Sequence, residues 1–169
     1  MGFKEQLDFL LKSKEFREWK KNNKDSYLVH CFVLVEGKEP VDWQIGYYDH
    51  SCQRITTFRI EGKRISMNPP AEVFKEDESK IKEVILEKVK IELKDALDIS
   101  QKFQKEHYKG DKPLKQIFIL QHLKLGQVWN ATFLTQAYKT LNIKIDASTG
   151  ELKEHHIVDI MDFVKSKKE

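Results

Sequence analysis

Apolar positions recur along this chain in two rhythms. Phe3, Leu7, Leu10 and Leu11 share one face at helical spacing, which predicts an amphipathic helix over residues 3–12. Ser13 is placed to cap a second short helix through Phe16 and Trp19, which Asn22 and Asn23 end. The period then shortens. Tyr27–Val35, YLVHCFVLV, is a dense β-branched and aromatic run that predicts a strand with both faces largely buried. Beyond Pro40, Val41–Tyr48 reads as a strand with Trp43, Ile45 and Tyr47 on one face and Gln44, Gly46 and Tyr48 on the other. Asp49-His50-Ser51 turns the chain into Ile55–Glu61, and a tight hairpin at Gly62-Lys63 leads on to Ile65 and Met67. Asn68-Pro69-Pro70 is expected to stop that sheet, because proline cannot donate to a ladder.

The charged run Lys75–Lys80 reads as a boundary, and Ile81–Ile91 fits either a helix or short strands. A helix follows from Glu92, with Leu93, Ala96, Leu97, Ser100 and Phe103 on one stripe, ended by Lys109–Pro113. Leu114–Leu123 then mirrors Tyr27–Val35, and Val128–Leu134 is the counterpart of the Trp43 strand. Leu141, Ile143 and Ile145 alternate with Asn142, Lys144 and Asp146 as a half-buried strand. Asp146–Gly150 offers a side-chain acceptor and a glycine for a turn, and Leu152 begins the return. Ile157, Ile160, Met161 and Val164 suit a short terminal helix.

Trp129, Ile145 and Leu152 follow Trp43, Ile60 and Ile65 at nearly constant spacing, drifting only at turns, which tolerate insertion. The fold expected is therefore α+β: two tandem helix-plus-antiparallel-sheet repeats over residues 1–78 and 79–169.

Composition narrows the function classes. Lys and Arg number 30 and Asp and Glu 27, so the net charge is only +3, and nucleic acid is not an expected partner. Positive charge gathers only at Lys20, Lys21 and Lys24 and at Lys165, Lys167 and Lys168, where solvated ends account for it. No apolar run approaches the ~20 residues of a membrane span. The N-terminus carries Glu5 and Asp8 and no signal-like apolar core, and Gln6 breaks the myristoylation pattern after Gly2. The expected location is the cytosol, with Cys31 and Cys52 as free thiols.

The segment Ile145-Asp146-Ala147-Ser148-Thr149-Gly150-Glu151-Leu152, after an extended run and a helix beginning near Ile91-Glu92-Leu93 with Ala96, resembles the PepSY domain over roughly residues 89–153. In the first half Glu61-Gly62-Lys63 replaces the longer Asp…Thr-Gly turn. The resemblance implies a helix packed on an antiparallel sheet, similar to cystatin-like folds, and an inhibitory or regulatory role, as proposed for PepSY domains in protease propeptides and in membrane or secreted proteins. It carries no catalytic residues. Asp146, Thr149 and Gly150 transfer as turn-forming positions only.

Candidate chemistry is sparse. The glycines are scattered and form no phosphate loop, and there is no CxxC or HExxH. His50 and Cys52 with His30 or Cys31 come nearest to a metal set, but adjacent strand residues face opposite ways, as do His155 and His156. Cys52 as a nucleophile beside His50 and Asp49 would sit in a turn without a pocket. No catalytic residue, cofactor or metal site is assigned. The remaining constellation is aromatic: Trp43, Tyr47, Tyr48, Trp129 and Phe133, either core anchors or a concave surface for a peptide or apolar ligand. The expected function is a non-catalytic binding or regulatory module for a protein or peptide partner. The alternative is a pocket protein for a small apolar ligand, with enzymatic activity left open.

Overall fold

The computed structural model describes residues 2–72 and 81–160. Helix α1 (Phe3–Lys12) and helix α2 (Lys14–Asn22) lie where the apolar spacing places them. The Gly2 N–H donates to the Glu5 carboxylate (2.8 Å) at the start of α1, and the Phe16 N–H donates to Ser13 Oγ (3.1 Å) at the start of α2. Each satisfies a donor that a helix N-terminus otherwise leaves unpaired. Strands β1 (Tyr27–Glu36), β2 (Glu39–Asp49), β3 (Arg54–Glu61) and β4 (Arg64–Met67) follow as antiparallel neighbours. Gly62 takes φ +61° in the β3–β4 turn, a conformation suited to glycine. A two-residue strand, β5 (Ala71–Glu72), returns to pair with β3 at Arg54 and Ile55, so the prolines interrupt the sheet without ending it. Helix α3 (Leu93–His107) precedes β6 (Pro113–Leu123), β7 (Gly126–Thr135), β8 (Lys139–Asp146) and β9 (Leu152–Asp159).

The expectation of two helix-plus-sheet repeats is corrected at one junction. His30–Val35 of β1 pairs antiparallel with Gln116–Gln121 of β6, and the strands form a single nine-stranded antiparallel sheet in the order β4-β3-β2-β1-β6-β7-β8-β9, with β5 beside β3. The reason is legible in the two strands: each alternates apolar residues on both faces, which suits a central position and would be a liability at an edge. The spacing echo survives inside this one sheet as matched pairs. Trp43 stands opposite Ile60 and Trp129 opposite Ile145; Ile60 stands opposite Ile65 and Ile145 opposite Leu152.

The helices lie against one face. Phe3, Leu7, Leu10, Phe16, Leu93, Ala96 and Leu97 join Cys31, Val33, Ile45, Phe58, Phe118, Ala131 and Ile143 in one continuous core. Burying each large apolar side chain contributes roughly 1.5–3 kcal/mol, so a shared core couples the two ends of the chain energetically.

Residues 81–92 strap one end of the sheet. The Val84 N–H donates to Leu28 O (2.8 Å), the Lys90 and Ile91 N–H groups both donate to Ala147 O (2.9 Å), and the Gln127 amide bonds the backbone of Ile85 in both directions. Only Leu86–Lys88 turns helically, as a short 3₁₀ segment. The start of the terminal helix expected over residues 157–164 is also corrected: Ile157–Asp159 belong to β9, paired with Lys139–Leu141, and Ile160 is helical. The run Lys75–Lys80 and the lysines at 165, 167 and 168 lie outside the described residues, as do Met161 and Val164.

Candidate functional site

The five aromatic residues singled out by the sequence all lie inside the protein. Trp129 and Phe133 have no exposure, and Trp43, Tyr47 and Tyr48 retain 6% or less. Trp129 packs edge-on against Phe3 (6.2 Å between centroids), and its indole N–H donates to Ile91 O (2.8 Å). Tyr47 stands in a ring cluster with Phe16, Trp19 and Phe58, and burial pushes its phenol well above the ordinary range. Phe133 meets Phe118 at 6.1 Å, while Tyr48, on the opposite face of β2, meets Tyr27 at 5.6 Å. The alternative reading needs a cavity lined by such rings. A groove of about 430 Å³ between the start of α3 and the β1–β2 turn is instead lined by Lys38, Glu39, Pro40, Glu92, Leu93 and Leu97 among others.

The His and Cys residues are dispersed. Cys31 is fully buried on the helix-covered face, where desolvation drives its thiol far above the usual value, and Cys52 is exposed in the β2–β3 turn beside exposed His50. His30 points to the other face and lies over Gly46, where a Cβ would come within 2.3 Å of its ring. Burial lowers its pKa, which favours the neutral imidazole. His155 is bonded to the Tyr108 hydroxyl (2.8 Å) and packs on Phe103. Among the described residues no group of three His, Cys, Asp or Glu side chains could hold a metal ion.

What the structure does assemble is the sheet face opposite α1, α2 and α3, where Ile81 and Lys82 border a hollow with His30 at one end and Ile160 borders one with His156 and Val158 at the β9 edge. Cross-strand pairing aligns two rows on this face. The first runs Ser66, Arg59, Gln44, Phe32, Ile119, Asn130, Lys144, Glu154 from β4 to β9. The second runs Asp42, Leu34, Ile117, Thr132, Asn142, His156 from β2 to β9. Phe32, Leu34, Ile117 and Ile119 therefore form a half-buried apolar square astride the β1–β6 junction. Its flanks are polar and internally bonded. On one side Arg59 pairs with Asp42 (2.9 Å) and Glu61 (3.1 Å), and Gln44 donates to Asp42 (3.0 Å). On the other, Asn142 donates to Asn130 (2.6 Å) and Thr132 (3.0 Å), and Lys144 pairs with Glu154 (2.6 Å).

Sequence reading missed this square for a physical reason. Apolar residues on both faces of a strand signal burial on both faces, so Phe32, Leu34, Ile117 and Ile119 were absorbed into an expected core. The cue lay further out, in the alternation of β7 and β8, where Asn130, Thr132, Asn142 and Lys144 mark the same face as one that meets water.

No family model matches the chain, and no curated protein matches it. Among solved structures it is similar to a crystal structure of a "putative lipoprotein" from Clostridium difficile 630, with a TM-score of 0.59 and 12% identity over 85% of this chain and 90% of that one. The likeness is one of fold. No helix among the described residues is long and apolar enough to cross a membrane.

Proposed function

We propose that this chain is a non-catalytic protein-binding module, of the regulatory kind its resemblance to PepSY domains implies, and that it docks its partner on the open face of the sheet. The observation that carries the reading is the apolar square of Phe32, Leu34, Ile117 and Ile119, set at the centre of a broad face and ringed by polar groups that already satisfy one another. A surface of that composition, apolar at its middle and polar at its rim, is how protein interfaces are built. The rim groups keep their own partners on docking, so the desolvation cost falls mainly on groups that gain from leaving water.

A photo-reactive amino acid placed at Ile119, in cells that make the protein, tests the reading. Position 119 should yield a discrete protein adduct that Phe32→Lys abolishes, whereas position 138, on the exposed Tyr138 turn, should not. No adduct at 119 beyond that at 138 would exclude docking on this face.

A further inference from the structure

We infer that the partner on this face is a second copy of the chain, packed sheet to sheet about a two-fold axis that lies in the interface and runs across the strands. The inference rests on the docking reading above and names its occupant.

The two rows of the open face carry it. A two-fold axis across the strands, midway between the rows, sets each strand against its own copy and exchanges one row for the other. Phe32 then meets Leu34 of the second copy, and Ile119 meets Ile117, so the apolar square covers itself. Asn130 meets Thr132, two groups able to exchange hydrogen bonds across the contact. Arg59 meets Glu61, which its own copy already pairs at 3.1 Å, and Glu154 meets His156. Every contact is apolar on apolar, polar on polar or opposite in charge. A patch that complements itself in this way is the requirement of an isologous dimer.

The other in-plane axis, running along the strands, fails the same examination. It sets β3 against β8 and brings Arg59 onto Lys144, two cations in the same row. Like charges brought together at an interface are strongly disfavoured.

Area agrees. Strands stand ~4.8 Å apart and rise ~3.3 Å per residue, so a patch six strands wide and eight residues long covers roughly 750 Å². A stable interface buries about 800 Å² on each partner. Stacked sheets pack ~10 Å apart with strands ~30° from parallel, so correspondence is closest at the centre, where the apolar square lies.

Sedimentation of the purified chain from low micromolar to several hundred micromolar tests this. The wild type should show a concentration-dependent dimer. Ile119→Lys should weaken it by at least about 30-fold, the size of a central hot spot, with an unchanged circular dichroism spectrum. Leu114→Lys, on an exposed residue of β6 outside the square, should dimerise like the wild type. Arg59→Glu discriminates the axes, because it sets two carboxylates together across the proposed contact and so weakens the dimer. A wild type monomeric throughout, or an Ile119→Lys dimer as tight as the wild type, overturns the inference; a tighter Arg59→Glu dimer overturns the axis. A monomer in the centrifuge together with an adduct between position 119 and a different protein would reject the second copy and leave the docking reading standing.

Discussion

The Phe3 N–H donates to a carboxylate oxygen of Glu92 at 3.0 Å, across 89 residues of chain. Phe3 opens α1 and Glu92 immediately precedes α3, so one carboxylate stands where two helices begin. Both helix N-termini present unpaired N–H groups and a positive dipole end, and an anion there satisfies them. A Cβ on Gly2 would lie 2.8 Å from the same oxygen, so the glycine leaves the room the contact uses.

Glu92→Ala should therefore cost about 1–2 kcal/mol, the usual loss for a helix-start acceptor. Glu92→Gln keeps an acceptor but no charge and should cost less. Urea denaturation reads both. Equal midpoints for Glu92→Ala and the wild type would show that the contact contributes nothing.

Gly46 supplies a second test, because it is the floor beneath the His30 ring. Gly46→Ala drives a methyl group into atoms 2.3 to 2.8 Å away, and overpacking of this kind costs roughly 1–3 kcal/mol. His30→Ala removes the obstacle, so adding it to Gly46→Ala should recover most of the loss. Thermal melts of the two single variants and the double should be clearly non-additive; strict additivity would mean the two residues do not touch in solution.

Much of the architecture could be read from the chain because local rules and tertiary outcome agree. Ser13 capped α2, Gly150 took a positive φ of 78° in the Asp146 turn, β1 to β4 and β6 to β8 fell near their expected bounds, and β9 began at Leu152 as expected. The positions matched between the halves, Trp43, Ile60 and Ile65 with Trp129, Ile145 and Leu152, were expected as signs of two repeats and instead occupy equivalent pairing positions within one sheet. How the halves meet was not readable: apolar residues on both faces mark β1 and β6 as interior strands, but the two are far apart in sequence and nothing local names one as the partner of the other. The surface was lost with it. Without the junction, Phe32 and Ile119 are two unrelated strand residues; with it, they are neighbours on one open face.

Asp146 holds the β8–β9 turn. Its Oδ1 accepts the Ser148 hydroxyl (2.6 Å), the Ser148 N–H (2.8 Å) and the Thr149 N–H (3.1 Å). These bonds, the Ser148 hydroxyl first, hold the carboxyl below the ordinary aspartate range. Asp49 is built alike, with the Ser51 hydroxyl at 2.6 Å, and is lowered for the same reason. Replacing Asp146 by Ala should cost about 1–2 kcal/mol and loosen β9, visible as faster amide exchange from Leu152 to Asp159. Unchanged exchange along β9 would show that the turn does not govern the edge strand.

His30 titrates in a different window. Desolvation lowers its pKa beneath the ordinary value of about 6.5, so the folded chain binds this proton less readily than the unfolded chain does. Stability is then complete above about pH 6.5 and declines as the pH falls towards the folded value. The lowered carboxyls of Asp49 and Asp146 have the same sign but act further down, where aspartates ordinarily protonate near pH 4. A stability–pH curve should therefore fall in two separate stages. His30→Gln should remove the first stage and leave the second. If the curve for His30→Gln keeps its decline as the pH falls below about 6.5, the buried imidazole is not its source.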